Sequence, residues 1–191
     1  MPEPGGGSAS ALAAAVGAAL VGMVANLTVG KEKYSGVQDR IEELLADSER
    51  VRARLQELVQ EDTEVYAVLA KAFKMPRGTE EEKQKRDEAV QAACKEATMV
   101  PYAIVEQCLE VAKLSEVAAE IGNVNAVSDA GVAALLAEAC AQCAALNVKI
   151  NLGTIKDGAF NEEKWTGVQD ILARALELKD RVVRVTYEKL G

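Results

Sequence analysis

The sequence predicts an all-α fold: a bundle of about five helices, several of them long, around a central Ala/Gly-rich buried helix. Three observations predict it. Apolar residues recur at helical spacing through long segments, and no convincing strand pattern breaks in. Aromatics make up only 4% of the chain while alanine is abundant, which suits closely packed helices better than sheets rich in aromatic and β-branched residues. Gly30, Met75-Pro76-Arg77-Gly78, Gly122 and Gly153 punctuate the periodic segments. At 191 residues the chain is long enough for one sizeable core, so residues 1–191 read as a single domain.

The first helix is predicted to start at Ser8 or Ser10, either of which can act as N-cap, and to end near Thr28 with Gly30 as the stop. Lys31 to Gly36 reads as a polar loop. A second helix runs from about Val37 to Lys74 without Gly or Pro, with Ile41, Leu44, Leu55, Leu58 and Leu69 on its apolar stripe. Thr79 followed by Glu80, Glu81 and Glu82 is a capping box that opens a third helix, which Pro101 should kink or split before it ends at Gly122. Ser128 is placed to cap a fourth helix over about Ala130 to Asn151, with Asp129 in its first turn. Asp157-Gly158 reads as a turn before a fifth helix, about Glu162 to Lys189.

Composition excludes several classes of function. There is no histidine, so Ser-His-Asp and Cys-His catalysis and the common His-based metal sites are ruled out; proton transfer must fall to Asp, Glu, Lys, Tyr, Cys or water. The net charge is −8 and no Lys/Arg run occurs, which argues against nucleic acid as a partner. Ala11 to Val29 approaches the length of a membrane span. Its apolar residues are mostly weakly hydrophobic Ala and Gly, however, Asn26 and Thr28 interrupt it, and no basic residue precedes it, so a buried helix of a soluble protein is the expected reading and no membrane is implied. Cys140 and Cys143 form a C-x-x-C inside a helical pattern. No second pair stands at zinc spacing, so these and Cys94 and Cys108 read as reduced thiols of a cytoplasmic protein.

Four places carry polar residues where the pattern calls for apolar ones. Pro4-Gly5-Gly6-Gly7-Ser8-Ala9-Ser10 opens onto the buried helix, and consecutive glycines there permit close ligand approach. Asp62 extends the stripe of Leu55 and Leu58, with Tyr66 one turn on. Asn123-Val124-Asn125 and Ser128-Asp129 hold more polar groups than capping alone requires. Asn147, one turn before Asn151, continues the stripe of Leu136, Ala139 and Cys143.

These blocks carry a resemblance. PGGGSASALAAAVGAALVGMVANLTVGK with Tyr34 looks like the N-terminal signature of the cyclodeaminase/cyclohydrolase family. Asp62-x-x-x-Tyr66 to Met75-Pro76, Val100-Pro101, and Ser128-Asp129-x-Gly-Val-Ala to Asn147-Val-x-Ile-Asn151 resemble its later blocks in order and spacing. The resemblance implies an all-helical fold, a tetrahydrofolate derivative as substrate, no permanently bound cofactor, no metal, and a homodimer. It does not separate cyclisation of 5-formimidoyltetrahydrofolate with release of ammonia, the first expectation, from the alternative, hydrolysis of 5,10-methenyltetrahydrofolate to the 10-formyl product. A non-catalytic helical scaffold is the competing reading of another class.

Both reactions pass through a cationic one-carbon unit, which a fixed carboxylate can stabilise while moving a proton. Asp62 and Asp129 are the expected carboxylates, with Tyr66 orienting or relaying. Gly5, Gly6, Gly7, Ser8 and Ser10 are expected to line the pocket, and Asn123, Asn125, Asn147 and Asn151 to pair with the pterin.

Overall fold

The structure, a computed structural model, describes residues 5–191; Pro4, the first residue of the glycine-rich stretch, lies outside them. It contains five helices: α1 (Gly6–Asn26), α2 (Gln38–Phe73), α3 (Glu80–Ile121), α4 (Val127–Leu152) and α5 (Gly158–Leu190). Short 3-10 turns, Glu32–Val37 and Val124–Ala126, join α1 to α2 and α3 to α4. No strand occurs among the described residues.

The helices α2, α1, α4 and α5 lie side by side in that order, and α3 packs behind all four. Small side chains set the spacing. At Gly17 of α1 an added Cβ would stand 3.4 Å from the carbonyl oxygen of Ala133 in α4 and 3.3 Å from Val111 in α3, so glycine lets three helices meet there. Length and composition alone would let α1, and Val124–Leu152 with α4, cross a membrane, but more than half of the apolar stretch of α1 and half of that around α4 are buried inside the bundle. Buried Leu55, Leu58, Ile104, Val105 and Val148 fill the core between them.

Several local expectations need correction. α1 begins at Gly6, so Ser8 and Ser10 fall inside its first turns, and no side chain at Gly5 caps it. Ser10 Oγ instead donates back to the carbonyl of Gly6 at 2.7 Å. Ser128 does not cap α4, which begins one residue earlier at Val127. The polar loop after α1 winds into the first 3-10 turn. α5 starts a turn earlier than expected because Asp157 is its N-cap, accepting from the amide of Phe160 at 3.1 Å. The Thr79 capping box forms as the spacing predicts, with Glu82 N donating to Thr79 Oγ1.

Pro101 does not split α3. A proline withdraws the N–H that the carbonyl four residues back would accept, here that of Ala97. Asn151 of α4 supplies the missing donor, its Nδ2 lying 2.8 Å from Ala97 O. The helix runs through the buried Pro101 because a neighbouring side chain completes its hydrogen bonding.

Candidate active site

Where the start of α1 meets the middle of α2 and the end of α4, the bundle holds a cavity of about 520 Å³. Asp62 is its chemical centre. Its Oδ2 accepts two hydrogen bonds from Ser8, one from the backbone N–H at 2.8 Å and one from Oγ at 2.7 Å. Asp62 therefore caps α1 from another helix, which explains why α1 has no cap of its own. Oδ1 receives no hydrogen bond from the described residues.

Gly7 makes this approach possible: an added Cβ would stand 2.6 Å from Cγ of Asp62, inside van der Waals contact. A Cβ on Gly6 would stand 3.2 Å from the side-chain amide of Asn147, so the first turn of α1 is held between Asp62 and Asn147. Asn147 Nδ2 donates to the carbonyl of Cys143 at 2.9 Å. Tyr66 follows Asp62 by one turn of α2, lines the cavity and is 57% exposed.

The cavity thus gathers Gly5, Gly6, Gly7, Ser8, Asp62, Tyr66, Asn147 and Asn151. It leaves out the other expected residues. Ser10 is buried beside it with its hydroxyl spent on Gly6. Asn123 lies at the far end of α1, where its Nδ2 donates to Leu27 O, its N–H donates to Thr28 Oγ1, and its Oδ1 accepts from Tyr34 and from the Asn125 amide. That network pins the α3–α4 turn to the α1–α2 turn. Asn125 is exposed there. Asp129 precedes Asn147 by eighteen residues of α4, roughly 27 Å at 1.5 Å per residue. Within one chain the two expected carboxylates do not share a cavity.

Sequence reasoning missed Thr63, Leu69 and Phe73 on α2, Cys94 and Ala97 on α3, and Ile150 and Thr154. Part of the signal was available: Asp62, Tyr66, Leu69 and Phe73 recur at helical spacing, as do Cys94, Ala97 and Pro101. Burial pushes the Cys94 thiol up, so it stands as a neutral wall. No Lys or Arg lines the cavity, and Asp62 has no ion-pair partner among the described residues. The site is therefore a mostly apolar chamber holding one carboxylate without a counter-charge, an arrangement suited to a ligand with a delocalised positive charge.

The model of the formiminotransferase-cyclodeaminase family matches residues 1–170. The chain belongs to that family. Among its relatives, methenyltetrahydrofolate cyclohydrolase of Methylorubrum extorquens is 43% identical over all of this chain and 91% of its own length. Formimidoyltransferase-cyclodeaminase of Mus musculus is 33% identical over 90% of this chain, which spans about a third of that longer protein (32%). The crystal structure of formiminotetrahydrofolate cyclodeaminase from Thermotoga maritima superposes with a TM-score of 0.89 at 31% identity, over 100% of this chain and 91% of that one. The full-length superposition on that structure agrees with the all-helical bundle.

Proposed function

We propose that this chain is an enzyme of tetrahydrofolate one-carbon chemistry in which Asp62 stabilises the positively charged one-carbon unit and handles its proton. The observation that carries the reading is the lone carboxylate of Asp62 in a cavity lined by no cation. About 520 Å³ is within the roughly 300–1,000 Å³ that small-molecule sites occupy. Asn147, whose Oδ1 accepts nothing from the described residues, and the Thr63 hydroxyl offer polar contacts to a pterin edge. Leu69, Phe73 and Ile150 offer the apolar wall that an aromatic ring system needs.

Of the two reactions, hydrolysis of the 5,10-methenyl cation is favoured, because the cyclohydrolase relative is 43% identical across the full chain against 31–33% for the cyclodeaminases. Water adds to the methenyl carbon as one of its protons passes to Asp62, and the bond from that carbon to N5 breaks as Asp62 returns that proton to N5 and the added hydroxyl gives up the other, leaving the 10-formyl group. The charge that Asp62 stabilises is lost in the step, and the proton leaves to solvent. Cyclodeamination is the second reading, supported by the full-length likeness to the Thermotoga maritima cyclodeaminase. There N10 attacks the carbon of the protonated formimidoyl group, the N10 proton passes to the departing nitrogen, ammonia leaves, and the same carboxylate faces the methenyl cation as product.

Purified protein offered each substrate separately tests this. Enzyme-dependent loss of the methenyl absorbance with formation of 10-formyltetrahydrofolate supports the first reading. Enzyme-dependent ammonia from 5-formimidoyltetrahydrofolate supports the second. A folded protein that accelerates neither would sink both.

A further inference from the structure

We propose that Arg86 of α3, behind the Phe73 wall of the cavity, binds a carboxylate of the substrate's glutamate tail and so selects folates that carry one. The inference rests on the folate reading and deepens it. In tetrahydrofolate a para-substituted benzene ring and an amide join N10 to glutamate, which brings two carboxylates. The cavity that takes the reacting end is lined by no Lys or Arg. The tail therefore finds a cationic partner only beyond the cavity wall, and Arg86 stands directly behind that wall.

Phe73 ends α2, lines the cavity and is 45% exposed. Arg86 is fixed on it. Nε and Nη2 donate to the Phe73 carbonyl at 3.3 and 3.2 Å, and the guanidinium carbon stands 6.0 Å from the centroid of the Phe73 ring. Nη1 makes no hydrogen bond among the described residues. A guanidinium held by one edge with N–H groups to spare is prepared for a carboxylate. Nearby cations are spent: Lys83 on Glu80, Lys85 on Glu81, Lys95 on Asp157 and Lys156 on Asp87. Glu82 is taken up by the amides of Gly78 and Thr79. Arg86 has no ion-pair partner among the described residues, and neither have Lys71, Lys74 and Arg77 at the same end of α2. This end is thus a cationic lip on a chain of net charge −8.

The length of the substrate fits the separation. Phe73 follows Asp62 by roughly 16 Å along α2, at 1.5 Å per residue. The one-carbon unit sits about 3–3.5 Å from the carboxylate that acts on it. Bonds of about 1.3–1.5 Å place the tail carboxylates roughly 10 Å beyond N10. With the one-carbon unit at Asp62 and the benzene ring along Leu69 and Phe73, the tail emerges at the level of Arg86. The exposed Phe73 ring covers the benzene ring there, and the guanidinium behind it meets the charge. Arg86 also serves one of the last carbonyls of α2, which a helix end leaves unpaired, so the test must separate that structural duty from tail binding.

Kinetics on the substrate that the wild type uses, and on its glutamate-free pteroate counterpart, provide the test. Arg86→Gln keeps an N–H for the Phe73 carbonyl and removes the charge. It is expected to raise KM for the folate about tenfold with kcat close to wild type, the mark of binding lost equally from ground and transition states. Arg86→Lys, which keeps the charge without the fork, should fall between the two. On the pteroate the wild type and Arg86→Gln should share one raised KM, because the group that Arg86 serves is gone. An equal rise in KM on both substrates would show that Arg86 only secures the end of α2, and would overturn the proposal; so would an unchanged KM for the folate. If Arg86→Gln does not fold, Arg86→Lys decides alone: a rise in KM of a few fold confined to the folate supports the proposal, and its absence overturns it. If the wild type turns over neither compound, that failure belongs to the functional reading. Calorimetry with the stable 5-formyltetrahydrofolate and its glutamate-free counterpart then decides the lip. Tighter binding of the first by about tenfold, lost in the Arg86 variant, supports it; equal affinities in the wild type overturn it.

Discussion

Gly7 of α1 and Asp62 of α2 lie so close that a Cβ on Gly7 would stand 2.6 Å from the carboxyl carbon of Asp62. The first turn of α1 is the support on which the carboxylate is held, with both Ser8 donors bound to Oδ2. Gly7→Ala is expected to displace the carboxylate and lower turnover by ~10²–10⁴-fold, as for removal of a general acid or base. Gly5→Ala, whose Cβ would meet Oδ2 at an ordinary 3.7 Å, is expected to stay near wild type. Steady-state kinetics of the two variants, each checked for helicity by circular dichroism, measure the contrast.

Asn151 and Pro101 are coupled through the carbonyl of Ala97. Asn151→Ala leaves a buried acceptor without its donor, expected to cost about 1–3 kcal/mol. Pro101→Ala restores an N–H that can serve the same carbonyl, so the double variant should lose less stability than the sum of the single losses. Urea unfolding of the four proteins measures the coupling. Additive losses would mean that the Asn151 bond is incidental.

Burial pushes the Cys140 thiol up to about 11, with Cys143 nearby adding to the effect, and raises Cys108 for the same first reason. The unfolded chain ionises these thiols near the ordinary thiol value of 9.0, before the folded chain does. Their stabilising contribution is therefore complete below about pH 9 and is lost as pH rises toward 11. Unfolding midpoints are expected to fall across that window, and to fall less steeply in a Cys108→Ala/Cys140→Ala variant.

The five helices were legible because their signals are local: the Thr79 box, the unbroken run of α2, and the stop at Gly122. What misled were places where a distant residue does a local job. Ser8 looks like an N-cap, yet the cap is Asp62, fifty-four residues away. Pro101 looks like a break, yet Asn151 repairs it. The polarity of α4 was also hidden, since a helix apolar all round does not reveal that Ala133, Ala137 and Ala141 pack inward while Leu135 and Leu146 face out.

The site was half legible for a related reason. Asp62, Tyr66, Asn147 and the glycines were visible as polar or conformationally special residues in apolar surroundings, and they converge on one cavity. Asn123 gave the same signal but spends its hydrogen bonds joining two turns. A single sequence does not distinguish a side chain that holds a ligand from one that holds the chain, because both require a buried polar group with partners.

The central claim is that the Asp62 carboxylate acts on the one-carbon unit, and the most direct measurement is the turnover of Asp62→Asn with 5,10-methenyl- and 5-formimidoyltetrahydrofolate. The substitution keeps an acceptor for Ser8, so folding should be little changed. The account predicts a fall in kcat of ~10²–10⁴-fold on the substrate the wild type uses. Wild-type kcat in a folded Asp62→Asn protein would contradict it.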